Sequence, residues 1–195
     1  MAELAYSLTT VSKVKTYLGI SVSTWDSVLE ELVNDCTVWL ENEMGGRRIF
    51  NDASDATEYH DGGDSTGYGK RSLFLKRFPI ASVTSISYRS GTPGTPVWVA
   101  YTADDYERID NEGTLHFLFT LPVGRQNIKV VYKAGYTTIP HDLNLACQKL
   151  VAKEFDKRKS QGIKSEGIGG ANVTWNEEID PSIQRVINKY RLFSC

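Results

Sequence analysis

The hydrophobic period of this chain changes twice, from helical to alternating near Arg48 and back to helical after Tyr136. A period of 3.6 buries one stripe of a helix and a period of two buries one face of a strand. The chain must therefore fold as helices, then strands, then helices. Val11, Val14 and Leu18 give a short first helix that Thr9 or Thr10 can cap and Gly19 can end. A longer helix starts near Ser23 or Thr24, with Trp25, Val28, Leu29, Leu32, Val33, Cys36, Trp39 and Leu40 on its buried stripe. Glu30, Glu31, Asn34, Asp35 and Glu41 fall mostly on the opposite face, and Gly45-Gly46 closes the helix.

Strand-like runs rich in β-branched and aromatic residues occupy 72–76, 83–88, 97–101, 106–109, 114–119 and 128–132. Turn-forming runs at 91–96, 110–113 and 122–124 separate them, which predicts an antiparallel meander or small barrel. The glycine-rich stretch from Asp61 to Gly69 reads as a mobile loop. A third helix begins at Ile139-Pro140 and buries Leu143, Ala146, Cys147, Leu150, Val151 and Phe155 before the basic run from Lys153 to Lys159. Residues 160–178 read as a flexible linker, and Asp180-Pro181 starts a last helix carrying Ile183, Val186, Ile187 and Tyr190.

The expected fold class is α+β: a helical bundle body built from 1–47 and 137–195, with an antiparallel β subdomain inserted at 48–136. The alternative is two consecutive units with the last helices packed on the sheet. A chain of 195 residues is long enough for either arrangement to bury its own core.

Composition narrows the function. With 22 basic against 24 acidic side chains, the chain lacks the basic excess of a dedicated nucleic-acid binder. No apolar run reaches the roughly 20 residues that span a bilayer, and no secretory signal is visible at the start. Cys36, Cys147 and Cys195 are odd in number, and the first two sit on apolar helix faces, which suits free thiols in a reducing compartment.

Motifs that suggest chemistry fail on inspection. The loop from Gly62 to Arg71 imitates a phosphate-binding loop, but Asp64 stands where the first glycine belongs and Arg71 where the magnesium-binding hydroxyl belongs. The run Gly63 to Gly67 resembles the nucleophile segment of a trypsin-like protease, yet His60 alone supplies no separate base segment. Asp52, Asp55, Glu58, Asp61 and Asp64 recur every third residue, the pattern of a solvated acidic edge rather than the alternate-residue ligands of a calcium loop. His60, His116 and His141 have no zinc spacing. Neither enzyme chemistry nor a cofactor or metal is expected.

Four stretches resemble a known family: 8–19 with the acidic helix after it, 77–88, 128–143, and the helix ending at Phe155 to Arg158. They are similar to tailed-phage head-tail connector proteins (adaptors, or head-completion proteins) of the phage connector group with a β insertion. The resemblance implies a virion protein at the neck, assembled in the host cytoplasm. It implies a ring, expected to be twelve-fold, that docks on the portal protein, extends the DNA channel and receives a tail or stopper protein. Double-stranded DNA would pass without sequence-specific binding. The portal or subunit contact would fall on Ile183, Val186, Ile187, Tyr190, Leu192 and Phe193. The acidic Glu30 and Glu31 and the basic Lys153, Lys157 and Arg158 are candidate charge contacts between subunits. Other readings are a tail-completion or neck protein elsewhere in the same virion, and a β-rich glycan-binding module stacking sugars on Trp98, Tyr101 and Tyr106.

Overall fold

In the computed structural model the described residues are 2–51, 54–63, 67–92, 95–158, 165–168, 171–174 and 179–191. The fold class is α+β. The chain divides into two compact units, one built from 1–47 with 139–195 and the other from 48–138.

The first unit is helical. Helix α1 (Val11–Leu18) starts where the Thr10 side chain accepts the Lys13 amide and stops at Gly19, whose φ of 69° is left-handed. Helix α2 (Asp26–Glu43) begins two to three residues later than its apolar pattern predicts, and Trp25 sits outside it. Helix α3 (His141–Lys157) buries all six residues of its predicted stripe. Helix α4 (Pro181–Tyr190) starts as its sequence predicts, with the Asp180 carboxylate accepting the Ser182 amide at 2.7 Å. Helix α3 is the centre of this unit, in contact with α1, α2 and α4.

The two sequence segments of this unit are tied together by specific polar contacts as well as by apolar packing. The Asn144 amide donates to the Leu8 carbonyl at 2.8 Å, and the Gln148 side-chain amide to the Thr9 hydroxyl at 3.4 Å. Asn34 is buried at 8% exposure, a correction to its expected place on the solvent face of α2. Its side chain accepts the Leu4 amide at 2.9 Å and donates to the Ala2 carbonyl at 3.2 Å, so it anchors the N-terminal segment. Glu41 is also buried at 8%, again against expectation. Within 160–178, read as a linker, Ser165–Ile168 (β8) and Ala171–Thr174 (β9) pair antiparallel.

The second unit contains two antiparallel sheets rather than one meander. Strands β1 (Ala56–His60), β7 (Ile128–Ala134), β3 (Ile80–Thr92) and β4 (Thr95–Ala100) form the first in that order. Strands β2 (Ser72–Phe74), β6 (Thr114–Phe117) and β5 (Tyr106–Ile109) form the second. Both turn one face toward a single apolar cluster that includes Leu73, Ile86, Leu115, Phe117, Ile128 and Val130. Pairing the first strand with the last closes the unit on itself, which burial on one shared core favours.

Strand β1 corrects the reading of its acidic residues as a solvated edge. Glu58 turns inward and accepts hydrogen bonds from the Tyr132 hydroxyl, His60 Nε2 at 3.1 Å and the Lys76 amide at 3.2 Å. Asp55 accepts from the Thr84 hydroxyl at 3.0 Å, and Asp61 from the Gln126 amide at 2.6 Å. Asp52 and Asp64 lie outside the described residues. Among the described residues no three metal-ligating side chains converge.

The loop expected to be mobile is held down where it is described. The Gly62 amide donates to Asn127 Oδ1 at 2.8 Å, and the Lys70 amide returns to the Gly62 carbonyl at 2.8 Å. Glycine is needed there for space. A Cβ on Gly62 would sit 2.1 Å from the Pro122 carbonyl oxygen, and one on Gly69 would sit 2.3 Å from that of Leu121.

Two outcomes follow for this unit. Gly62→Ala should destabilise it by about 1–3 kcal/mol, because the contact is with backbone that cannot rotate away, as read by chemical denaturation. Burial raises the Glu58 pKa, but the bonds from His60, Tyr132 and the Lys76 amide outweigh it and hold the carboxyl below its ordinary value. Its contribution should therefore be complete above about pH 4.5 and be lost as pH falls through the lower folded value. Glu58→Gln should flatten that part of the acid unfolding profile and cost roughly 1.5–3 kcal/mol at neutral pH.

Candidate assembly interface

The residues expected at partner contacts fall mostly on the helical unit, and the structure separates them into three groups. Ile183 (2% exposed), Ile187 (1%) and Tyr190 (7%) are buried, with α4 lying against α3. Val186 is half-buried, and Leu192 and Phe193 lie outside the described residues. The apolar face of α4 is thus covered from within the same unit and is not open to a partner while the helix stays docked. Ile183, Ile187 and Tyr190, expected at a portal or subunit contact, thus pack inside their own unit. The same 3.6-residue pattern serves internal packing and helix-in-groove docking, so sequence alone does not tell them apart.

Polar contacts fix α4 in place. Lys189 Nζ donates to Asp142 at 2.6 Å, the Tyr190 hydroxyl donates to the same carboxylate at 2.8 Å, and Lys149 Nζ reaches the Ser182 hydroxyl at 2.9 Å. Partial burial raises the Asp142 pKa, but the bonds from Lys189, Tyr190 and the Leu143 amide prevail and hold it below its ordinary range. Lys189 is pushed up to about 12 by its bond to Asp142. Asp142 therefore favours docking above about pH 3.8 and loses that contribution as pH falls through its folded value. Lys189 favours docking below pH 10.5 and loses that contribution as pH rises through about 12.

The candidate charge contacts also divide. Arg158 lies 4.0 Å from the centre of the Trp25 ring and 3.5 Å from that of Phe155, while those two rings meet edge to face at 5.9 Å. Its guanidinium is held by two aromatic faces of its own unit. Lys157 pairs with Glu154 one helical turn away at 3.2 Å. Lys153 and Lys157 also line a groove of about 350 Å³ with Leu32, Asp35 and Trp39 of α2 and Ile179 ahead of α4. Acidic α2 and basic α3 thus meet in part within one chain. Glu31 is exposed and Glu30 half-exposed, both outside that groove.

The aromatic trio expected of a glycan platform is not one surface. Tyr101 packs on Tyr88, Phe117 and Phe119 at 5.2–5.5 Å, and Tyr106 on Phe117 at 5.8 Å. Trp98 stands apart from them, beside Tyr59 at 5.9 Å. Sequence reasoning missed Tyr59, because the strand that carries it has a carboxylate at its inward position in place of an apolar residue.

A family model described as head completion protein matches residues 7–193. The chain belongs to the head completion protein family. The same fold also occurs in solved structures. A chain from the neck of an empty GTA (gene transfer agent) particle, computed with C6 symmetry, superimposes with a TM-score of 0.62 at 14% identity, covering 100% of this chain and 96% of the other. One from the neck of the native particle, computed with C12 symmetry, gives 0.60 at 13% identity, covering 100% and 96%. A third, from the native GTA virion, gives 0.59 at 13% identity, covering 95% and 90%. No curated protein matches it.

Two variants test how firmly α4 is seated. Ile187→Ala should cost about 2–5 kcal/mol of stability by leaving a cavity in a fully buried position. Tyr190→Phe keeps the ring and loses the bond to Asp142, for about 1 kcal/mol, and amide exchange in α4 should speed up without change in α1.

Proposed function

We propose that this protein is a structural, non-catalytic subunit of a ring at the head-tail interface of a tailed virion. The observation that carries the reading is the family match across nearly the whole chain. The ring is proposed to be twelve-fold, to dock on the portal protein and to receive a tail or stopper protein on its far side. Double-stranded DNA passes through it without sequence-specific contact. The near balance of 22 basic and 24 acidic side chains supports such passage, since strong phosphate binding would hold the DNA in place.

In this reading the helical unit is a bundle that forms the body of the connector, and the β unit is an insertion into it. A small closed unit inserted between two helices perturbs its host little, because loop-closure entropy grows slowly with length. The portal contact is assigned to the C-terminal segment: Val186 on the partly open side of α4, with Leu192 and Phe193 beyond it. Ile183, Ile187 and Tyr190 join that contact only if α4 leaves α3. Glu30 and Glu31 remain the acidic side of the subunit contact, with Lys153 and Lys157 as basic partners.

Removing the gene from the element that encodes the particle tests the reading. Heads should fill with DNA, lose it and lack tails under the electron microscope. Tailed particles that retain DNA would overturn the proposal.

A further inference from the structure

The outward face of the four-stranded sheet carries two aromatic rings and a set of cations that the fold itself does not use. Tyr59, Lys129 and Arg89 each sit one residue from an inward side chain (Glu58, Val130 and Tyr88), so they face outward. Trp98 pairs with Arg89 and faces the same way. Strands β1 and β4 are the outer strands of this sheet, three strand spacings or roughly 14 Å apart, yet the Tyr59 and Trp98 ring centres are 5.9 Å apart. Both rings therefore lean toward each other across the middle strands, where Ser87 of β3 is buried. They remain 51% and 38% exposed.

Arg89 and Arg125 line a concavity of about 360 Å³ with these two rings and Gln126. The Arg89 amide donates to the Asn127 carbonyl at 2.7 Å, which sets this arginine beside the loop that carries Arg125. Gln126 has a φ of 47°, a left-handed value that only it and glycines adopt among the described residues. Strained backbone of this kind collects at ligand sites. The two carboxylates at the margin of the face are engaged. Asp61 accepts the Gln126 amide at 2.6 Å, and Asp55 accepts the Thr84 hydroxyl with Lys133 3.9 Å away. Among the described residues no carboxylate pairs with Arg89, Arg125 or Lys129.

We propose that this face binds single-stranded nucleic acid without regard to sequence, with bases stacked on Trp98 and Tyr59 and phosphates held by Arg89, Arg125 and Lys129. The proposal goes beyond the ring reading and does not depend on it. Unpaired cations call for a polyanion. The other side chains of the face decide between a nucleic acid and an acidic protein segment. Thr57, Lys129 and Gln126 stand near the rings, and the aliphatic residues there are the half-buried Val131 and the small Pro96 and Ala100. A protein contact needs an apolar centre around its aromatic anchors, which this face lacks. Exposed rings stack on any base, and flanking cations follow the phosphate backbone. A duplex hides the faces of its bases, so only a single strand uses rings and cations together. Three phosphate contacts give modest, salt-sensitive binding, in keeping with a chain of 22 basic and 24 acidic side chains.

The test uses the full-length chain and a fluorescent oligothymidylate of about 12 nucleotides, with binding read by anisotropy. The wild-type chain should bind it at low salt and lose about twentyfold in affinity between about 50 and about 200 mM salt. Trp98→Ala should weaken binding about tenfold or more, the effect of one lost base stack. Arg89→Gln and Arg125→Gln change exposed positions, so each should keep the wild-type melting transition. Each should also weaken binding and lower the slope of log affinity against log salt by about 0.7. If Trp98→Ala shifts the melting transition, the arginine variants decide. No binding by the wild-type chain, or binding that the variants leave unchanged, overturns the proposal. A duplex of the same length that binds as tightly also overturns it, because phosphate contact alone would then suffice. So does polyglutamate that competes as well as the unlabelled oligonucleotide, which would make the face a site for an acidic protein segment.

Discussion

The structure depends on the packing of α3 against α1 and α2, from which the whole β unit separates it in sequence. Without that contact the first 47 residues would have little to bury their apolar stripe on, since α1 and α2 alone make a two-helix fragment. The bond from Asn144 to the Leu8 carbonyl closes a separation of 136 residues. The entropy of closing so long a loop is only modestly larger than for a short one, while the burial regained is that of a whole helix face. Leu143, Cys147 and Val151 on α3 are each 0% exposed, as are Leu29, Val33 and Leu40 on α2. The β unit can vary in detail without disturbing this, provided it returns the chain to Ile139.

Charge is arranged differently in the two units. In the helical unit the notable charges are engaged internally: Asp142 with Lys189 and Tyr190, Lys157 with Glu154, and Arg158 with two aromatic rings. In the β unit Glu58 is internal, while Arg89 and Arg125 remain at an exposed aromatic concavity.

Much of this was legible beforehand. The cap at Asp180 with proline after it, the glycine ending α1 and the buried stripe of α3 follow from local rules that the chain obeys. The α+β class and the family resemblance were likewise readable, because alternating periods and short turn runs are local signals. What escaped was non-local. Strand β1 hid because its inward position is a carboxylate, held inside by bonds that include one from a tyrosine hydroxyl 74 residues away. Asn34 looked like surface because nothing in its own helix shows that Leu4 and Ala2 come back to it.

The sequence by itself determined helices α1 to α4 and strands β2 to β7, where most of them start and stop, and which family the chain resembles. These rest on backbone conformation and periodic burial, which neighbours along the chain decide. Only the tertiary structure decided that α4 turns its apolar face inward, that Arg158 is held between rings, and that Trp98 stays exposed while Tyr101 does not. An amphipathic face or a charged side chain states what it needs, and which partner meets that need depends on what the fold brings alongside.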